Sequence, residues 1–187
     1  MFGPRDGSWS ETMHEAFLRT AFAPATSGSC QALGPDPAYV EEMLIDVETI
    51  GSANGPTYQR RVALVVGNSA YENGVAPLKN PVNDATSMAR VLRALGFTVW
   101  RGIDLDAGAL EACLDRFTSD LATNEADVAL FFYAGHGVQL TSADNDKRNY
   151  MLSVDAKVEA SGRGRGFKQI DAVLSQMRAH ADQSVFF

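Results

Sequence analysis

The sequence predicts an α/β domain built on a mostly parallel central sheet, and three observations predict it. Arg61-Val62-Ala63-Leu64-Val65-Val66 and Asp127 through Tyr133 are continuous apolar runs, the mark of strands buried on both faces. The segments that follow them carry apolar residues at helical spacing. Strand and helix alternate, which implies right-handed βαβ crossovers and a parallel sheet.

Each element has a local reason. Gly67-Asn68-Ser69 ends the first strand. Asn83-Asp84 offers an N-cap for a helix running to about Leu95, with Met88, Val91, Leu92 and Leu95 as its apolar stripe and Gly96 as its stop. Phe97 to Trp100 reads as a second short strand. Ala107 to about Leu121 reads as a helix with Leu110, Cys113, Leu114 and Phe117 on one face. Asp127 to Tyr133 is the third strand, and Asn149 to Val154 is a short strand or hairpin arm. Phe167 to Ala179 is a third helix, with Ile170, Val173, Leu174 and Met177 inward. Ser184 to Phe187 opens a fourth apolar strand.

Residues 1–58 differ from the rest. They hold five of the seven prolines and Gly-Ser-rich pieces such as Gly51-Ser52-Ala53-Asn54-Gly55, which break regular elements. We expect a loosely ordered extension there, with room for short helices near Glu11 to Thr20 and Tyr39 to Ile50. One domain is expected over 60–187. The 16 Lys and Arg against 23 Asp and Glu leave a net charge of −7, which disfavours nucleic acid and anionic membrane surfaces as partners. No apolar run reaches the roughly 18 residues of a membrane span. The N-terminus does not read as a signal peptide, so a cytoplasmic location is expected. Cys30 and Cys113, the two cysteines, are too few for a disulfide scaffold, and we expect no metal site.

In a parallel sheet, reacting groups gather at the carboxyl ends of the strands. That rule selects Gly67-Asn68-Ser69 and Ala134-Gly135-His136-Gly137. His136 is the strongest candidate: it lies between two glycines at the end of a buried strand, and imidazole titrates near neutral pH, as a general base requires. The alternative is a loop histidine that hydrogen-bonds a carbonyl. Cys113 sits on the apolar face of its helix and reads as a core residue; Cys30 lies in the extension. Asp104, Asp106, Asp144 and Asp146 read as solvated loop carboxylates.

Four blocks in order carry a resemblance: Ala63 to Tyr71 (ALVVGNSAY), Leu78 to Ala85 (LKNPVNDA), Phe131 to Gln139 (FFYAGHGVQ) and Asn149 to Ala156 (NYMLSVDA). Together they resemble the large-subunit (p20) region of the caspase-like cysteine peptidases, peptidase C14, in their bacterial, metacaspase-related form. Ser153 stands where that family usually has Pro. The resemblance covers about residues 60–187. It implies a caspase-like three-layer sandwich whose last strands are expected beyond Phe187. It also implies a cysteine endopeptidase with a Cys-His dyad, His136 being the base and Gly135 and Gly137 forming the oxyanion or active-site loop. The substrate would be a polypeptide cut after a basic residue, with Asp84 and Asn68 as pocket candidates; an N-cap role is the other reading of Asp84. The nucleophile should lie about 50 residues after the histidine, so an Asp-Ala-Cys-type turn is expected just past Phe187. No cofactor is expected, although metacaspase-like relatives often need calcium. Two rival readings are a caspase-like binding module without activity, and a flavodoxin-type small-molecule domain, which the missing phosphate signature after the first strand disfavours.

Overall fold

The structure is a computed structural model, which describes residues 26–36, 60–141, 145–159 and 164–187. Among them the elements are β1 (Ser29–Leu33), β2 (Arg61–Gly67), α1 (Pro81–Ala94), β3 (Phe97–Ile103), α2 (Ala107–Asn124), β4 (Ala126–Ala134), β5 (Gly137–Thr141), β6 (Lys147–Val158), β7 (Gly164–Gln169), α3 (Ile170–His180) and β8 (Ala181–Phe186). Five strands form one sheet in the order β1-β3-β2-β4-β8. β3, β2, β4 and β8 run parallel, and β1 joins β3 antiparallel at the edge. β5, β6 and β7 make a separate antiparallel sheet.

β2 organises the layers. Side chains alternate across a strand, so Val62, Leu64 and Val66 face one side and Ala63 and Val65 the other; all five are fully buried. The first set packs with Leu110, Cys113, Phe117 and Leu121 of α2 and Val173 and Met177 of α3. The second packs with Ala85, Ala89 and Leu92 of α1. The result is the predicted α/β sandwich of three layers. Gly67 is required where β2 meets α1, because a Cβ there would collide with the Pro81 carbonyl oxygen and lie 2.7 Å from Ala85 Cβ.

Several boundaries differ from expectation. α1 begins at Pro81, not at Asn83-Asp84, because proline is suited to the first helical turn. Asp84 is therefore a first-turn residue and not the N-cap. Gly96, at φ +80°, stops the helix as expected. Phe167 to Gln169 belong to β7, paired with Tyr150 to Leu152, and the third helix starts only at Ile170. Apolar spacing alone could not separate this arm from the helix it feeds. The segment Asn149 to Val154 lies within the long strand β6. The helices expected near Glu11 to Thr20 and Tyr39 to Ile50 lie outside the described residues.

The larger correction concerns Ser29–Leu33. This stretch of the expected loose extension is an edge strand, pairing Ser29 with Ile103 through Leu33 with Val99. That pairing brings Cys30 against the inward face of α2, and Cys30 and Cys113 form a disulfide with their Cα atoms 5.5 Å apart. Arg116 adds a guanidinium bond to the Cys30 carbonyl oxygen at 3.2 Å. Cys113 is buried, as expected, but bonded. The bond joins residues 83 apart in sequence, and closing so long a loop constrains the unfolded chain. Reducing it, or replacing both cysteines with serine, should lower stability by about 2–5 kcal/mol. Urea unfolding with and without a dithiol reductant measures this; coincident midpoints would show that the tether adds nothing.

Candidate active site

His136 leaves the carboxyl end of β4 two residues after Ala134 and leads directly into β5. It is half-buried. Its Nε2 lies 2.8 Å from the Ala76 carbonyl oxygen. A carbonyl only accepts, so Nε2 carries the proton and Nδ1 keeps the lone pair in the neutral ring. Ala76 precedes Pro77, and a residue before proline is biased toward extended backbone. The sequence reading missed Ala76, since a backbone acceptor leaves no residue-type signal.

A polar junction supports the histidine from beneath. The Tyr71 hydroxyl accepts the His136 backbone N–H at 2.7 Å and lies 3.1 Å from the Tyr133 hydroxyl. The Tyr133 hydroxyl lies 2.9 Å from the His136 carbonyl oxygen and 2.8 Å from that of Leu152, and accepts the Leu152 N–H at 3.2 Å. Burial pushes both phenols above their ordinary range, and for Tyr133 the neighbouring Tyr71 adds to the shift. Both therefore remain neutral donors and acceptors.

Gly135 and Gly137 have different reasons. Neither takes a positive φ, so the expected sharp turn is not what requires them. A Cβ on Gly135 would lie 2.5 Å from the Tyr71 hydroxyl and 2.6 Å from that of Tyr133. Gly135 thus lets the backbone approach the tyrosine pair. Gly137 is exposed at the start of β5, where a Cβ would meet only the Tyr150 carbonyl oxygen at 3.5 Å.

The two pocket candidates separate. Asn68 is fully buried; its Nδ2 donates to the Leu152 carbonyl at 3.0 Å and its Oδ1 accepts the Leu105 N–H at 3.0 Å. It joins the two sheets and presents no face to a substrate, which corrects its assignment to the pocket. Asp84 is exposed on the first turn of α1, at the same carboxyl edge of the sheet as His136.

Two of the loop carboxylates, Asp104 and Asp106, hold backbone N–H groups rather than being merely solvated. Asp104 Oδ1 accepts the N–H groups of Ser69 and Ala70 at 2.7 and 2.9 Å. Asp106 caps α2 through the Ala109 N–H at 2.7 Å, while Asp155 accepts the Ala107 N–H at 2.9 Å. Asp146 pairs with Arg148 at 3.0 Å. Asp144 lies outside the described residues. Among the described residues no three His, Cys, Asp or Glu side chains come together to hold a metal. Thr141 and Lys147 form the last pair of β5 with β6, about 16 Å of strand from His136.

Fold and site together define a three-layer α/β sandwich that offers one histidine at the carboxyl edge of its parallel strands. The caspase domain of peptidase C14 matches residues 60–185, and the chain belongs to that family; it is a peptidase-related domain. A stretch of 101 residues, 54% of this chain, is 32% identical to the human mucosa-associated lymphoid tissue lymphoma translocation protein 1, but spans only 11% of that protein. Among solved structures, protein GSU0716 from Geobacter sulfurreducens is similar with a TM-score of 0.51 at 21% identity, over 67% of this chain and 48% of that one; this likeness concerns the fold alone. Among the described residues no helix is long and apolar enough to cross a membrane.

Gly135→Ala should destabilise the domain by about 1–3 kcal/mol through overpacking, while Gly137→Ala should change it far less. Thermal melts of the two variants compare them directly; equal melting points would remove the close-approach argument. The raised phenols make a second prediction. Below the unfolded tyrosine value of 10.0, both states hold the proton and the folded state loses nothing. Above it the unfolded chain ionises first, so stability should fall as pH rises past about 10. Urea midpoints from pH 8 to 11 test this, and Tyr133→Phe should flatten the decline.

Proposed function

We propose that this domain supplies the general base of a caspase-like cysteine endopeptidase, with His136 as that base. The observation that supports the reading most is the Ala76 carbonyl on Nε2, which leaves Nδ1 free to take a proton. The strand register gives a second support. Each β8 residue sits opposite the β4 residue 55 positions earlier, as in Ala126 with Ala181 and Phe131 with Phe186. The same offset continued from His136 reaches position 191, where the family resemblance expects the cysteine.

In this reading the thiol gives its proton to Nδ1 and the thiolate attacks the substrate carbonyl carbon. The imidazolium then returns the proton to the leaving amine. Water, deprotonated by the same nitrogen, hydrolyses the acyl-enzyme and frees the thiol. Backbone N–H groups near Gly137 would receive the oxyanion. Neither Cys30 nor Cys113 supplies the thiol, because they are bonded to each other. Cleavage after Arg or Lys, with Asp84 contributing to the pocket, belongs to the same proposal.

The compartment is set in opposition by two observations. The sequence suggests the cytoplasm, yet disulfides are rare there. Alkylating thiols at lysis separates the cases: two alkylated cysteines place the chain in the cytoplasm, and a retained Cys30–Cys113 bond places it in an oxidising compartment.

The decisive experiment uses a chain carried past Phe187 to include a cysteine near position 191. It should cleave peptides after Arg or Lys, and His136→Ala should lower kcat by about 10²–10⁴-fold. An Asp84→Asn variant should raise KM for those substrates. Cleavage that persists undiminished in His136→Ala, or no cleavage by the extended chain, would overturn the proposal.

A further inference from the structure

The β2–α1 loop grips His136 at three points. The Tyr71 hydroxyl accepts the His136 backbone N–H at 2.7 Å. The Tyr71 ring lies 4.7 Å from the imidazole, centroid to centroid, tilted by 60°. Farther along the same loop, the Ala76 carbonyl accepts from Nε2 at 2.8 Å.

The loop is itself anchored on both sides. Asp104 holds the N–H groups of Ser69 and Ala70. The Glu72 N–H donates to the Val154 carbonyl at 2.8 Å, and Asn73 Nδ2 donates to the Asp155 carbonyl at 2.9 Å. Tyr71 is buried between these anchors, packed with Leu152 and Ala156.

We propose that Tyr71 is a positioning residue for His136, holding its backbone through the hydroxyl and its imidazole orientation through the ring. The inference rests on the reading of His136 as general base. Its physical content is the fate of a flipped imidazole. Half a turn about the Cβ–Cγ bond would exchange Nδ1 with Cδ2 and Nε2 with Cε1. A ring C–H would then face the Ala76 carbonyl, the hydrogen bond that fixes the tautomer would be lost, and the Nδ1 lone pair would turn away from where the thiol must deliver its proton. The Ala76 carbonyl disfavours that state, and the tyrosine ring against the imidazole restricts the rotation that reaches it. The hydroxyl acts separately, by fixing the backbone from which the imidazole hangs. Burial keeps that hydroxyl neutral, so this hold persists across the pH range in which imidazole titrates.

The test reads the imidazole directly in the 187-residue chain. Side-chain ¹⁵N spectra report the tautomer of each of the three histidines, and His136→Gln assigns the signal. The native chain should show His136 protonated on Nε2. Tyr71→Phe keeps the ring and removes the hydroxyl; the His136 amide should exchange at least about tenfold faster while the tautomer holds. Tyr71→Leu removes the ring as well, and the tautomer should become mixed. In the extended chain Tyr71→Leu should lower kcat about tenfold or more with KM within about twofold. Leu121→Ala, a core truncation on α2, controls for lost stability and should leave both His136 signals unchanged. Native amide exchange in Tyr71→Phe would overturn the hydroxyl's role, and a native tautomer in Tyr71→Leu the ring's. If Tyr71→Leu fails to fold by circular dichroism, the Tyr71→Phe exchange rate decides. Should the extended chain never cleave while the His136 signals move as expected, the positioning stands and the peptidase reading falls.

Discussion

Burial of β2 on both faces is the constraint from which the rest of the molecule follows. A strand with no exposed side chain must be covered twice. Alternation then sends Val62, Leu64 and Val66 to α2 and α3 and sends Ala63 and Val65 to α1. The small residues on the α1 side matter: Gly67 and Ala85 allow the helix to start close against the strand end. With β2 fixed, β3 and β4 align beside it in parallel register. Their carboxyl ends then share one edge, and the loops that carry Tyr71, Ala76, Asp104 and His136 all arise there.

At that edge the molecule uses polar groups where a core would use apolar ones. Asn68, Tyr71 and Tyr133 converge on the backbone of His136 and Leu152. Such a network is stabilising only when each member is satisfied. It joins the parallel sheet to the antiparallel β5-β6-β7 sheet, whose Leu152 provides both a carbonyl and an N–H to it. Asp104, Asp106 and Asp155 extend the same pattern outward by capping loops and a helix. The acidic character seen in the composition is thus partly spent on backbone N–H groups.

The lateral edge of the sheet at β1 is finished differently. β1 covers β3 antiparallel, and the bond between Cys30 and Cys113 fixes it to the helix behind. Trp100 donates to Asp120 at 3.0 Å, and Asp120 also pairs with Arg60, tying the start of β2 to α2.

What the sequence determined by itself is the sandwich and the place of its histidine. Apolar runs, helical spacing and the glycines around His136 are local properties, and they were legible because burial on both faces demands an uninterrupted run and each helix must show one apolar stripe. Only the tertiary structure decided what surrounds that histidine. Ala76 acts through a carbonyl, which every residue possesses. Asn68 looks the same in sequence whether its amide meets a substrate or, as here, the backbone of Leu105 and Leu152. Cys30 sits in a Pro- and Gly-rich stretch, and nothing local announces that five residues of it pair with β3 and bring its sulfur to Cys113. These contacts join positions 37 to 84 residues apart, and such pairings follow from how the layers close rather than from any property of the residues taken in turn.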